Sequence, residues 1–134
     1  MAIKVGVLGA SGRMGSQVCE AIGNDEGTIL VAAIDENQIG DYVGVSDIQI
    51  SGGISDLEGA DVVVDFTTAS SARSNLPVVA EMGIHAVVGT TGLTEADVKS
   101  IESSFVNSNC LLASNFAISA VLMMRFSEIA APYF

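Results

Sequence analysis

Apolar residues fall along this chain in two patterns, short near-continuous runs and longer stretches with helical spacing. Ile3, Val5, Val7 and Leu8 make the first run, residues 29–34 the second, and 61–67, 85–89 and 111–113 three more. Runs as apolar as these suit strands covered on both faces by helices, which is the habit of parallel sheets. Between the first two runs, Met14, Val18, Cys19 and Ile22 recur at helical spacing and predict a helix over 13–23, closed by the turn residues Gly23 to Gly27. A second helical stretch runs from 67 to 82, and Pro77 predicts a break or restart there, since proline fits a first helical position. Thr94, with Glu95 and Asp97 in the first turn, caps a third helix that reaches about Phe105.

Residues 118–134 read as a last helix. Its Val121, Leu122, Met123, Met124, Phe126, Ile129 and Ala130 spread around more than one face, a pattern that expects burial. Residues 55–59 form a helical turn, and 37–53, punctuated by glycines, read as a long connection without a charge or metal-ligand cluster. Five β-α units predict an α/β domain, a Rossmann-like doubly wound parallel sheet with strand order 3-2-1-4-5 and right-handed crossovers.

The stretch Gly9-Ala10-Ser11-Gly12-Arg13-Met14-Gly15 joins the first strand to its helix. Gly9 allows the sharp turn, Gly12 lets backbone approach a pyrophosphate, and Gly15 lets the helix pack closely on its strand. The helix N-terminus, with free N–H groups and about half a positive elementary charge, favours an anion. Asp35 ends the second strand about 20 residues on, where a carboxylate accepts hydrogen bonds from the adenosine ribose hydroxyls of a dinucleotide. Asp35 and Glu36 lean toward NADH, while Arg13 can serve a 2'-phosphate, so NADPH stays open. Asp65 reads equally as a turn former and as a ligand-facing group. Thr90, Thr91 and Gly92 turn out of the fourth strand, and read either as small residues that let backbone approach a bound ring or ribose or as a turn and nothing more. His85, the single histidine, reads as structural.

Composition narrows the partners. The chain has 134 residues, enough for one domain that buries roughly two thirds of its unfolded surface. A formal net charge of −11 with five Lys and Arg repels nucleic acid, yet a small anion needs only local dipoles. Cys19 and Cys110 form no C-x-x-C and are expected to be reduced core residues. With no leader pattern and no run of about 18 apolar residues, neither export nor a membrane span is expected, and the cytoplasm is. The apolar last helix leads us to expect a chain that continues, with 1–117 the nucleotide-binding domain and 118–134 the start of a linker helix to an absent substrate and tetramerisation domain.

Four stretches, Val7 to Gly15, Val64-Asp65-Phe66-Thr67, Val87 to Gly92 and Ser114-Asn115-Phe116-Ala117-Ile118, resemble in order and spacing the bacterial dihydrodipicolinate (4-hydroxy-tetrahydrodipicolinate) reductases, the last looking most like the actinobacterial branch. The resemblance implies an NAD(P)H-dependent oxidoreductase of the diaminopimelate route to lysine that reduces a cyclic dicarboxylate. It implies that Gly9, Ala10, Ser11, Gly12, Arg13 and Met14 hold the pyrophosphate and Asp35 the ribose. Phe66, Thr67, Gly89, Thr90, Thr91, Ala113, Ser114, Asn115 and Phe116 would border the nicotinamide side, with no metal. Family members are tetramers whose paired histidines and lysine lie in a second domain. No matching acid stands in this chain, which is therefore expected to bind NADH or NADPH without turnover. Alternatives are a free-standing NAD(H)-binding regulatory module, or the nucleotide domain of another two-domain dehydrogenase such as aspartate or homoserine dehydrogenase.

Overall fold

The structure, a computed structural model, describes residues 1–44, 46–113 and 115–134. Its elements alternate as expected: β1 (Ile3–Leu8), α1 (Arg13–Gly23), β2 (Thr28–Ile34), β3 (Ile50–Ser51), β4 (Val62–Asp65), α2 (Ala69–Glu81), β5 (His85–Val88), α3 (Glu95–Ser104), β6 (Cys110–Leu112) and α4 (Ile118–Ala130). Short 3-10 turns lie at Ile54–Leu57 and Ala131–Tyr133. All six strands are parallel, in the order β3-β2-β1-β4-β5-β6.

The order 3-2-1-4-5 is thus present, extended by a sixth strand, but the strand that fills third place is a different one. It is the two-residue β3, inside the stretch read as a connection, where it pairs Ala33 with Ile50 and Ile34 with Ser51. Val62–Asp65, expected as the third strand, is the fourth and pairs with β1.

Alternation within the strands divides the core. Val5 and Val7 face a cluster with Cys19 and Ile22 of α1, while Leu8, Val63 and Val88 face the opposite cluster with Leu76 and Val79 of α2 and Ile101 of α3. The sheet is shared by two apolar layers.

Two expectations are corrected. Helix α2 runs unbroken through Pro77. A proline inside a helix forfeits one hydrogen bond and costs about 3 kcal/mol, but Ala72, Leu76, Val79 and Ala80 bury one continuous face on both sides of it. The last helix forms, yet none of its residues is buried; Met123 is 67% and Phe126 63% exposed. Its apolar pattern meets no facing surface among the described residues.

Other features follow the sequence. Thr94 and Asp97 make the reciprocal capping box at the start of α3. Both cysteines are free, Cys19 buried and Cys110 half-buried, and burial pushes both thiols up to about 11, helped at Cys110 by the charges of Glu102 and Asp65. His85 Nδ1 accepts the Asn109 N–H at 3.0 Å and fastens the start of β5 to the turn before β6. Among the described residues no helix is long and apolar enough to cross a membrane.

Candidate functional site

β1 and β4 lie side by side, but their chains leave the sheet in opposite directions, and a crevice opens beyond their carboxyl ends, as open α/β sheets require. A cleft of about 330 Å³ occupies it, lined among others by Gly9, Ser11, Gly12, Asp35, Phe66 and Thr67.

The glycine loop is built by backbone contacts. Gly9 takes φ +79°, and a side chain there would come within 2.6 Å of the Phe66 carbonyl oxygen. The N–H groups of Gly9 and Ala10 both donate to Ile34 O, at 2.8 and 3.2 Å, and tie the loop to β2. A side chain on Gly15 would run into the Gly9 carbonyl, so α1 rests directly on the loop. Gly12 is the helix N-cap, without a side-chain cap, and the backbone N–H groups of Arg13, Met14 and Gly15 find no acceptor among the described residues. The helix N-terminus thus keeps three donors without a protein acceptor among the described residues, and its cap, Gly12, lines the cleft.

Asp35 faces them. Its Oδ2 accepts the Ser11 N–H at 3.1 Å; its Oδ1 accepts the Asn37 N–H at 3.0 Å and side-chain amide at 3.2 Å. Partial burial works to raise its pKa, but the hydrogen bonds from Asn37 and Ser11 outweigh it and hold the carboxyl below its usual range. At neutral pH it is a fixed carboxylate.

On the other wall, Phe66 fills the place a Gly89 side chain would take and meets Phe116 edge-on, ring centroids 5.3 Å apart at 70°. Asp65 Oδ1 accepts hydrogen bonds from the Thr67 N–H, the Thr67 hydroxyl and the Thr90 hydroxyl. Asp65 has no exposed surface, which decides for the turn-forming alternative.

The cleft thus brings together Gly9, Ser11, Gly12, Asp35, Phe66 and Thr67. Gly89, Thr90 and Phe116 stand behind that wall through Phe66 and Asp65. Ala10 is wholly buried beneath the loop, and Arg13 and Met14 are exposed on the first turn of α1. Thr91, Ala113 and Asn115 are not lining residues, although Ala113 N–H bonds Val88 O at 3.0 Å and places the chain after β6 beside β5. Ser114 lies outside the described residues.

Sequence reasoning missed Asn37, Gly52, Ile54, Ser71 and Asn75, which also line the cleft. Asn37 had a signal, since an Asp accepting the N–H two residues on is a common turn. Gly52 and Ile54 arrive through β3, where Asp35 N–H donates to Ser51 O at 3.0 Å.

The sequence family described as "Dihydrodipicolinate reductase, N-terminus" matches residues 3–116. Curated relatives named 4-hydroxy-tetrahydrodipicolinate reductase include those of Thermobifida fusca (strain YX), 47% identical over 135 residues, and Cutibacterium acnes, 42% identical over 135 residues. Each alignment covers 98% of this chain and 49% of the relative, so the chain spans about half the length of the curated relatives it matches. A solved structure titled dipicolinate-bound dihydrodipicolinate reductase, from Paenisporosarcina sp. TG-14, superimposes with a TM-score of 0.84 at 31% identity, over 100% of this chain and 55% of that one. A match that runs from β1 to Phe116 takes in the glycine loop, Asp35 and both walls of the cleft, and the chain belongs to the dihydrodipicolinate reductase family.

Proposed function

We propose that this chain is the nucleotide-binding domain of a 4-hydroxy-tetrahydrodipicolinate reductase, holding NADH or NADPH for reduction of a cyclic dicarboxylate on the diaminopimelate route to lysine. The observation that carries the reading is one cleft lined both by Gly12, the N-cap of α1, and by the fixed carboxylate of Asp35. An anionic pyrophosphate and a ribose diol are the chemistry that such a pair recognises.

In this reading residues 1–117 are the nucleotide unit and 118–134 lead toward a substrate and assembly domain of a cytoplasmic homotetramer. The nicotinamide, when bound, supplies the hydride. This chain's residues bind and orient it. Gly9 to Met14 cradle the pyrophosphate, Asp35 accepts from the ribose, and Phe66, Thr67, Gly89, Thr91 and Ala113 to Phe116 border the ring and keep water from it, with Thr90 packed behind that wall. Protonation of the reduced substrate belongs to an acid outside these 134 residues, so the chain binds nucleotide without turnover.

Calorimetric titration with NADH and NADPH is the test, the chain having no Trp to report binding. Saturable binding of both is expected, abolished in Gly12→Val. In Asp35→Ala the NADH affinity should fall at least about tenfold, the scale of one or more lost charge-assisted hydrogen bonds. A folded chain that binds neither nucleotide would overturn the assignment.

A further inference from the structure

Asp65 ends β4 without exposed surface, and its ladder neighbours Leu8 and Val88 belong to the apolar layer under α2. One of its oxygens takes all the hydrogen bonds. Oδ1 accepts the Thr67 N–H at 2.8 Å, the Thr67 hydroxyl at 2.7 Å and the Thr90 hydroxyl at 2.9 Å, while the Thr67 N–H also reaches Thr90 Oγ1 at 2.9 Å. Oδ2 has no partner among the described residues.

A buried carboxylate with one oxygen unpaired is costly. The turn at Thr67 does not require it, because Ser accepts the same amide. What the carboxylate adds is Thr90, on the loop after the next strand. Phe66 and Gly89, the residues beside Thr67 and Thr90, make the close contact of ring on backbone between those two loops.

We propose that Asp65 is a positioning residue. It clamps the loops after β4 and β5 at the separation that the nicotinamide half of the dinucleotide requires, without touching that ligand. The proposal rests on the nucleotide reading above, and ADP-ribose, which has the adenosine and pyrophosphate but no nicotinamide, separates the two.

The experiment is calorimetry of NADH and ADP-ribose on the chain, Asp65→Ser, Thr90→Val and the double variant, with circular dichroism to establish folding; the shorter serine keeps the Thr67 turn and cannot reach Thr90. Thr90→Val keeps the side-chain volume and the Thr67 turn, so it carries the test if Asp65→Ser does not fold. Each single variant should weaken NADH about tenfold, the scale of one lost buried hydrogen bond, and leave ADP-ribose within about twofold. The double variant should be no worse than Thr90→Val alone, because that change already removes both bonds of the hydroxyl, to Asp65 Oδ1 and from the Thr67 N–H. Equal losses for the two ligands, no loss for NADH in Thr90→Val, or additive losses would overturn the clamp. Failure of the unaltered chain to bind ADP-ribose would overturn the nucleotide reading and the clamp with it.

Discussion

Replacing Gly15 by alanine sets two effects of opposite sign against each other. Alanine in a helix interior is favoured over glycine by about 1 kcal/mol. Its methyl group, however, would land on the Gly9 carbonyl and 3.0 Å from Ala10 Cα. Those are backbone atoms of a loop anchored twice to Ile34 O, and they cannot rotate aside. Overpacking costs about 1–3 kcal/mol, and an immovable obstacle belongs at the upper end. The net expectation is a loss of about 1–2 kcal/mol, or a fall in Tm of roughly 4–8 °C for a domain of this size. Urea unfolding followed by circular dichroism should show a lower midpoint at unchanged slope. Gly12→Ala is the contrast. Gly12 has φ −71°, open to any residue, and a methyl group there lies 3.2 Å from the Gly9 oxygen. It should cost less than about 1 kcal/mol in stability, while weakening nucleotide binding more than Gly15→Ala does. Ser16→Ala, on the exposed side of α1, sets the propensity gain of a few tenths of a kcal/mol against only the loss of an exposed hydroxyl bond to Arg13 O. If Gly15→Ala matches or exceeds the parent in stability, the rigid approach of α1 to the loop is refuted.

Two further outcomes follow from the packing and the charges. Asp97, held by the Arg73 side chain and then by the Thr94 amide and hydroxyl, has its pKa lowered to about 2. A carboxyl lowered in the folded state stabilises above its unfolded value near 4, and that stability is lost as pH falls from there to 2. Tm measured against pH should therefore decline less steeply in Asp97→Asn between those limits, and parallel curves would show the contact to be without thermodynamic weight. The bridge is solvent-exposed, so added salt should shrink the difference. Leu76→Ala, in the middle of α2 and fully buried, should cost about 2–5 kcal/mol, whereas Met123→Ala on α4 should leave the urea midpoint unchanged. A large effect at Met123 would mean that α4 has a buried face.

The legible strands were those whose runs are apolar on both faces, because period and composition agree there. β3 was not legible. Two residues carry no period, and Ile50 and Ser51 become a strand only through the ladder with β2. Gly52 and Ile54 therefore escaped the site, while Gly9, Gly12 and Asp35 were readable from spacing alone. Pro77 was misjudged because a local rule met a stronger tertiary term, the burial of Leu76 and Val79 on either side. Asp65 was recognisable as a turn former, but its bond to Thr90 depends on the parallel register of β4 with β5, which pairs Asp65 with Val88. In α4 the apolar pattern specified a helix and said nothing of what faces it.

The central position of β1 has a consequence for how the chain folds. Leu8 pairs with Ile34 on one side and with Asp65 on the other, and neither partner is local. Sheets of this kind close long loops before any pairing rewards them, and they fold slowly for that reason. During synthesis the glycine loop emerges early and stays without its opposite wall until Phe66 and Thr67 have been made and β4 has docked. A dinucleotide added to a refolding chain should thus capture only the finished sheet centre, and its affinity would report long-range order rather than the presence of a turn sequence. Binding then draws the folding equilibrium toward completion by mass action, which makes the cofactor a late stabiliser of the fold rather than a template for it.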